Sequence, residues 1–285
     1  MGKPIMGALA MAGLLALGAC AEKGDASKAK DLDPTSVVDA TDLNDIMLTV
    51  ADPNEAVEYF RGSLLKDPKR IEFRRGLGKS LVRAKRATEA VPVFEKLVEM
   101  KGSTDQDRVD LADAMIRTNK WKEASVELNK VPPTFETYQR YRLEAMIADS
   151  QKKWKKADSF YEIAAGLTTQ PSNVMNNWGY SKMARGDYKG AEKLFIESIT
   201  YDRKLFTAKN NLVLARAAQK NYALPVIPMT TEEKAQLMYT FGLSAVKQGD
   251  TDVGRGLLQE AIDTHPRHFE EAVRSLEALN ATVKS

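Results

Sequence analysis

Cysteine and histidine are nearly missing from this sequence, since its 285 residues include one Cys and two His. A single cysteine excludes an intramolecular disulfide framework and any metal site that needs several thiolates. Glycine and proline number 17 and 11, which disfavours a turn-rich β protein. Neither sign of charge dominates, because 42 Lys and Arg face 39 Asp and Glu. The chain therefore lacks the global positive field typical of nucleic-acid binding, while 43% hydrophobic residues suffice for a buried core.

Residues 1–19 are predicted to be a processing signal rather than part of the fold. Lys3 is the sole charge before Glu22, and the run from Pro4 to Ala21 is apolar or small. The run ends in Leu17-Gly18-Ala19-Cys20, which resembles a bacterial lipobox. The resemblance implies cleavage before Cys20, lipidation of its thiol and acylation of the new amine, typically with palmitate. Two or three acyl chains would anchor the protein stably in a membrane.

Two alternatives to lipidation remain open, namely a secretory signal cut at an ordinary site and a retained N-terminal helix. By familiar Gram-negative sorting rules, Ala21 in place of Asp favours the outer membrane, at its periplasmic face. Residues 20–36 are then predicted to be the acylated Cys and a flexible tether, since the stretch is polar and rich in Lys, Asp and Ala.

A sequence pattern with a period of about 34 residues runs through the body of the chain. At nearly this period, an alanine is followed four positions later by a large residue. The pattern resembles the tetratricopeptide repeat, a helix–turn–helix unit of the same length. The pairs are Ala56/Phe60, Ala90/Phe94, Ala124/Leu128, Ala157/Tyr161 and Ala191/Phe195. The sequence predicts an all-α tetratricopeptide-repeat superhelix of about six to seven units over an array at 37–222, with an irregular helical bundle as the alternative.

One unit of this array is predicted to be degenerate. Pro225 stands where its second helix needs a small residue, and Pro228 follows. Because proline removes a helical N–H donor and clashes with the preceding turn, we expect extended chain over Tyr222–Met229. A linker is assigned to 223–230.

Helix is predicted to restart after this linker. Thr230 and Glu233 have the spacing of a capping box, which marks a helix N-terminus. Residues 231–285 are predicted to contain a final repeat and a capping helix, whose apolar stripe begins at Phe269.

Motifs for catalysis are missing. The sequence has no Gly-rich phosphate loop, no Cys/His metal set and no nucleophile motif. His265 and His268 are close in sequence, but Pro266 favours a turn between repeats over a metal site. The chain is therefore predicted not to be an enzyme and to need no cofactor, metal or small-molecule substrate. A groove in a repeat superhelix instead suits peptides or helices.

Five cations on the first helices are candidates for peptide binding. Arg75, Lys79 and Arg83 follow one another at a spacing of four, so that one helix face carries all three. Arg117 and Arg142 occupy corresponding points in the next two units. Together they predict a basic strip for an acidic peptide or a terminal carboxylate, with a solvated charged face as the alternative.

Two asparagine pairs are further candidates. Asn176-Asn177 and Asn210-Asn211 lie one repeat period apart, each beside a first-helix motif. Asn176 and Asn210 are assigned a ligand-binding role as a hypothesis, and a structural role is the alternative.

Four segments of the second half are the most distinctive: Asn176–Tyr180, Ala208–Leu212, Tyr222–Met229 and Thr264–Phe269. They resemble the TadD lipoproteins of the Tad (tight adherence, Flp) pilus system, and the resemblance extends from the lipobox to the C-terminal helix. It implies an outer-membrane lipoprotein that serves as a pilotin or assembly factor for the pilus secretin. The implied partners are the secretin or other Tad components. The alternative is another periplasmic tetratricopeptide lipoprotein, such as a β-barrel assembly or cell-wall hydrolase adaptor.

Overall fold

The computed structural model describes residues 43–282. The predicted signal segment, the predicted lipidation site Cys20 and the predicted tether lie outside the described residues. The chain divides into two units, Met1–Asp45 and Ile46–Ser285, and the helices of the second unit carry the fold. Every regular element between residues 43 and 282 is helical. No helix in that range is long and apolar enough to cross a membrane.

Fourteen helices follow one another along the described chain. Residues 43–49 form α1. The others are α2 (Pro53–Lys66), α3 (Ile71–Arg83), α4 (Ala87–Val98), α5 (Asp105–Arg117), α6 (Trp121–Leu128), α7 (Tyr138–Ser150), α8 (Trp154–Gly166), α9 (Ser172–Ala184), α10 (Tyr188–Tyr201), α11 (Phe206–Ala217), α12 (Thr231–Lys247), α13 (Thr251–Thr264) and α14 (Glu270–Thr282).

The helices alternate as first and second members of helix pairs. The first helices α3, α5, α7, α9 and α11 begin one repeat period apart, at Ile71, Asp105, Tyr138, Ser172 and Phe206. The first four pack against their own second helices, and neighbouring first helices also touch one another from α3 to α11. This arrangement confirms the predicted tetratricopeptide-repeat superhelix. Within residues 43–282 it comprises seven units, of which the α11 unit lacks its second helix.

The alanine and the large residue of each second helix lie in the core. The five alanines are 0% exposed, and the five large residues are at most 2% exposed. Burial of a side chain such as that of Phe94 contributes about 2–3 kcal/mol to stability. Gly78 of α3 allows this packing, because an added Cβ would lie 2.7 Å from carbons of the Phe94 ring. A larger residue at position 78 would therefore push the paired helices apart.

From α3 onward, the turn that follows each first helix contains one residue in the left-handed backbone region. These residues are Lys85, Asn119, Lys152, Gly186, Lys220 and Gly249, with φ between 57° and 85°. Glycine adopts this conformation without a Cβ clash, whereas the other residues do so at a cost of about 1 kcal/mol. Lys220 keeps the turn although the helix that should follow it is missing.

Residues 221–230 contain neither helix nor strand, as the two prolines predict. The segment still packs on the core, through the partly buried side chains of Leu224, Ile227 and Met229. The Tyr222 hydroxyl donates to Asp250 Oδ2 at 2.7 Å, and burial together with this carboxylate raises the pKa of Tyr222 to about 12. These side chains replace the apolar face of a second helix, so α12 packs directly against α11.

A buried ion pair joins α11 to α12. Lys209 is 2% exposed, and its Nζ lies 2.9 and 2.8 Å from the two carboxylate oxygens of Glu233. Glu233 also accepts from the Thr230 backbone N–H, which completes the predicted capping box. Burial raises the pKa of Glu233, but the bonds from Lys209 and Thr230 outweigh burial, so its pKa lies below the ordinary value.

The final pair α12–α13 is covered by α14. Phe269, just before α14, is 8% exposed, and Ala272 within it is 0% exposed. Both pack against the core of the last pair. The helix α14 thus occupies the place of the predicted capping helix.

Candidate functional site

The predicted basic strip is built around the acidic helix α5. Its Asp107, Asp110 and Asp113 recur every third residue and lie between α3 and α7. Asp107 is 0% exposed and accepts a two-pronged contact from Arg75, with Nε–Oδ1 at 2.6 Å and Nη2–Oδ2 at 2.8 Å. Lys79 Nζ lies 3.6 Å from Asp110 Oδ2.

The other three cations of the strip are also engaged. Arg117 and Arg142 share Asp113, at 2.6 and 3.1 Å respectively. Arg83 donates to the carbonyl oxygens of Met47 and Ala51, at 2.8 and 2.9 Å. The five cations of the strip are therefore engaged internally, four of them by the three carboxylates of α5 and Arg83 by two backbone carbonyls. A role of these five residues in peptide binding remains a prediction.

The electrostatics of the buried carboxylates differ along α5. Burial raises the pKa of Asp107, but the hydrogen bonds from Arg75 and Thr104 outweigh it, so the pKa of Asp107 is lowered. Burial dominates at Asp110, and its pKa is raised despite the Lys79 ammonium. Asp107 therefore acts as the fixed anchor of the strip, since it also caps α5 through Thr104.

A pocket of about 500 Å³ opens among the first helices α7, α9 and α11, further along the array. Most of the exposed area of its wall is apolar, and the lining also includes amides, hydroxyls and one carboxylate. The lining comprises Trp121, Met146, Asp149, Ser150, Trp154, Tyr161, Asn176, Asn177, Tyr180, Ser181, Ala184, Thr207 and Asn211. An apolar recess of this size with few polar groups is the usual form of a binding site for a side chain or small ligand.

The candidate Asn176 lines this pocket, and the candidate Asn210 is not among the lining residues. Asn176 Oδ1 accepts from Asn211 Nδ2 at 3.0 Å, so the two amides are linked across α9 and α11. Asn210 instead accepts from the Thr240 hydroxyl at 2.8 Å. The ligand-binding role of both asparagines remains a prediction, and Asn176 is the one of the two that lines this pocket.

Asp149 belongs to the pocket wall and is held by two hydroxyls. Tyr161 donates to its Oδ2 at 2.9 Å, and Ser181 donates to its Oδ1 at 2.7 Å. Burial raises the pKa of Asp149 more than these bonds lower it. The pKa of Tyr161 is raised well above the ordinary value, because the ring is buried beside this carboxylate. The cluster fixes the wall shape by joining α7, α8 and α9.

Three aromatic residues give the pocket its rim. Trp121 and Trp154 are the first residues of α6 and α8, and they lie at corresponding positions of successive units. Tyr180 of α9 is 58% exposed. The guanidinium of Arg185 lies over the Trp154 ring, 5.8 Å from its centroid, which holds that ring in place. The rim is therefore aromatic, with Tyr180 exposed and the two tryptophans partly buried.

A cluster of lysines that was not predicted from the sequence lies beside this rim. Lys152, Lys153, Lys155 and Lys156 flank Trp154, and all four are exposed. The near-zero net charge of the whole chain concealed them, whereas a count over five-residue windows identifies them at once. No group of three or more metal-binding side chains exists within the residues that the structure describes.

Comparisons with known proteins agree with the helical repeat. The family model described as tetratricopeptide repeat matches residues 48–105. Over 138 residues the chain is 26% identical to tetratricopeptide repeat protein 21B of Mus musculus, which is 44% of this chain and 10% of that protein. This chain thus spans about a tenth of the length of that curated relative.

Solved structures share the fold at low identity. PilW, described as a widely conserved type IV pilus biogenesis factor, has a TM-score of 0.55 at 16% identity, covering 76% of this chain and 95% of PilW. A tetratricopeptide repeat protein from Parabacteroides merdae has a TM-score of 0.54 at 11% identity, covering 86% and 99%. The human IFIT1 dimer with PPP-AAAA has a TM-score of 0.59 at 14% identity, covering 80% and 59%. At such identities the likeness shows the fold alone.

The repeat architecture and these matches define the class of the protein. Its fold is the tetratricopeptide-repeat superhelix, in which stacked helix pairs form a continuous surface.

Proposed function

We propose that this protein is a lipid-anchored scaffold of a Tad (Flp) pilus system, a pilotin or assembly factor for the outer-membrane secretin. Cys20 carries the lipid, and the protein resides at the periplasmic face of the outer membrane. The secretin or another Tad component supplies the segment that the repeat array recognises.

The pocket of about 500 Å³ on α7, α9 and α11 is the observation that carries the recognition part of this proposal. Its wall combines aromatic rings with amides of Asn176 and Asn177, which suit a peptide with one large side chain and a polar backbone. Asn177 Nδ2 donates to the thioether of Met146 at 3.4 Å, a weak acceptor that a peptide carbonyl readily replaces.

Two further observations support the pilus part of the proposal. The Leu17-Gly18-Ala19-Cys20 motif and the proline-interrupted second half both fit the resemblance to the TadD lipoproteins. PilW, a pilus biogenesis factor, shares the fold over 95% of its own length. A lipid-anchored helical repeat is thus a reasonable architecture for assembling a pilus pore.

Photocrosslinking from the pocket rim tests the partner. A photoreactive phenylalanine analogue in place of Tyr180 should crosslink the secretin in the living bacterium. Val126 of α6 is the matched control, because it is also 58% exposed and is absent from the pocket lining. Crosslinks from position 180 to a β-barrel assembly component or a cell-wall hydrolase would replace the pilus assignment with the adaptor alternative.

Substitution of the lipidation site tests the anchor. Cys20→Ser should leave the precursor unlipidated, move the protein out of the outer-membrane fraction, and reduce secretin multimers in that membrane. Normal outer-membrane fractionation of the variant would refute the anchor. Deletion of the gene with unchanged secretin multimers would refute the pilotin function.

A further inference from the structure

The lysine turn, defined as Lys152, Lys153, Lys155 and Lys156, carries four positive charges within five residues. Each of the four is exposed, and none forms an ion pair among the residues that the structure describes. The Nζ of Lys156 lies 5.2 Å from the centre of the Phe160 ring. The charges of this turn are therefore available to an external anion, unlike those of the strip on α3.

The position of the lysine turn is unfavourable for the helix that follows it. Lys153 is the N-cap of α8 and makes no side-chain cap, and the first turn of α8 contains no acidic residue. Cations at a helix N-terminus oppose the helix dipole and the free N–H groups. The helices α5 and α12 have capping boxes and acidic first turns instead. A charge placement that lowers local stability is typical of a contact surface.

The lysine turn also adjoins the pocket. Trp154 stands in the middle of the lysines and lines the pocket of about 500 Å³ at the same time. Its ring is held by Arg185, whose own charge is satisfied by Asp158. Trp154 therefore lies between the apolar pocket and the exposed ammonium groups of the lysine turn.

We propose that the pocket and the lysine turn form one docking surface for an acidic protein segment. A large apolar side chain of that segment enters the pocket, and neighbouring carboxylates lie against the lysine turn. This inference rests on the proposed function in one respect, namely that the pocket takes a protein segment. It adds the chemistry of the segment, because the exposed lysines select for carboxylates whereas the cations on α3, α5 and α7 already have internal partners.

Charge complementarity favours a carboxylate-bearing peptide over a nucleic acid. Single-stranded nucleic acids are bound by a series of aromatic platforms along a basic groove. Here the four lysines are confined to one turn of five residues rather than spread along a groove, and the amides of Asn176 and Asn177 line the adjoining recess. Side-chain amides pair with a peptide backbone through both donor and acceptor groups.

Fluorescence anisotropy with synthetic peptides tests the proposal. The probe peptide contains one phenylalanine between pairs of aspartates, and two matched peptides replace the aspartates by asparagine or the phenylalanine by alanine. Replacing the aspartates should weaken binding roughly tenfold at low salt, and this difference should shrink as salt rises, because exposed charge pairs are screened. The alanine peptide should also bind more weakly, at all salt concentrations.

The matching protein variant replaces the four residues of the lysine turn by glutamine. It should lose roughly tenfold in affinity for the acidic peptide and keep the helical content of the wild type. The control replaces four other exposed lysines by glutamine, namely Lys96, Lys101, Lys189 and Lys193. It changes the net charge equally and should leave peptide binding nearly unchanged.

Several outcomes would overturn the proposal. They are no measurable binding of the acidic peptide, equal loss in the control variant, or tighter binding of an RNA oligomer than of the peptide. If the peptide binds as described but position 180 crosslinks no secretin, the docking surface stands and the pilus assignment fails. If position 180 crosslinks the secretin while the lysine variant binds like the control, the pilus assignment stands and the docking surface fails.

Discussion

Two regions of the molecule differ in whether their cations have partners within the protein. One is the strip on α3, α5 and α7, and the other is the lysine turn before α8. In the strip, Arg75 meets the buried carboxylate of Asp107 at 2.6 Å, and the other cations also have internal partners. At the lysine turn, four exposed ammonium groups have no carboxylate partner within residues 43–282. The comparison teaches that the number of cations on a surface does not identify a binding site. What matters is whether the fold supplies their counter-charges.

Removal of Asp107 should produce the largest effect on this comparison. Asp107→Ala leaves Arg75 without its partner and removes the capping box of α5, so we expect the free energy of unfolding to fall by about 3–5 kcal/mol. Urea denaturation followed by circular dichroism measures the change. Asp252→Ala is the control, because this side chain is 95% exposed in its ion pair and should contribute little. Equal effects of the two substitutions would show that the strip does not stabilise the fold.

The pH dependence of stability gives a second, smaller effect. Arg75 and Thr104 lower the folded-state pKa of Asp107 despite its burial. The ionised carboxylate therefore stabilises the folded state above about pH 4, and this stabilisation is lost as pH falls through the folded pKa. The stability difference between the wild type and Asp107→Asn should therefore shrink in acid.

Asp149 provides the control of opposite sign for this pH dependence. Burial raises the pKa of Asp149, because the folded state favours its protonated carboxyl. This contribution to stability is present in acid and is lost as pH rises through the folded pKa. Relative to Asp149→Asn, the wild type should therefore become less stable as pH rises above about 4. Parallel pH profiles for the Asp107 and Asp149 variants would contradict the pairing described here.

A substitution at the lysine turn should stabilise the protein, in contrast to Asp107→Ala. Asp187 occupies the N-cap of α10 and accepts from the Gly190 N–H at 3.0 Å, whereas Lys153 at the corresponding position of α8 makes no cap. Lys153→Asp should therefore raise the free energy of unfolding by about 1 kcal/mol. The reverse change, Asp187→Lys, should lower it by about the same amount. A thermal melt that ranks the two variants otherwise would contradict the unfavourable placement of the lysines.

The smallest expected effect concerns the turn itself. Lys152 and Gly186 occupy the same left-handed position in successive units, with φ of 57° and 83°. Gly186→Ala should destabilise the protein by about 1 kcal/mol, because it introduces a Cβ in this conformation. Lys152→Ala should be nearly neutral, since the Cβ is already present. If both substitutions were equally destabilising, the Lys152 side chain would have a stabilising contact that the turn geometry does not account for.

Local patterns explain how much of the fold was predictable. The pattern of an alanine followed four positions later by a large residue predicts which side chains of a second helix are buried. Those side chains are 0–2% exposed. Pro225 and Pro228 determine the loss of a helix by their own chemistry, and Thr230 with Glu233 forms the predicted cap. Each of these inferences needs only residues within one or two turns of each other.

The candidate site was less accessible to such reasoning. Arg75 and Asp107 are 32 residues apart, and their contact depends on how one repeat stacks on the next. Helix-face reasoning gave the positions of the cations without their counter-charges on α5. The pocket likewise collects Trp121, Tyr180 and Asn211 from three units.

The sequence by itself determined the helical repeat, its period and the place where it is interrupted, because these depend on side-chain size, burial and proline at a fixed spacing. It also contained the lysine turn, as a run of charge around Trp154. Only the tertiary structure decided which cations are neutralised, where the apolar pocket opens, and that the lysine turn lies at its rim. The physical reason is that charge pairing and cavity shape arise between helices of different units, whereas helix formation arises within each.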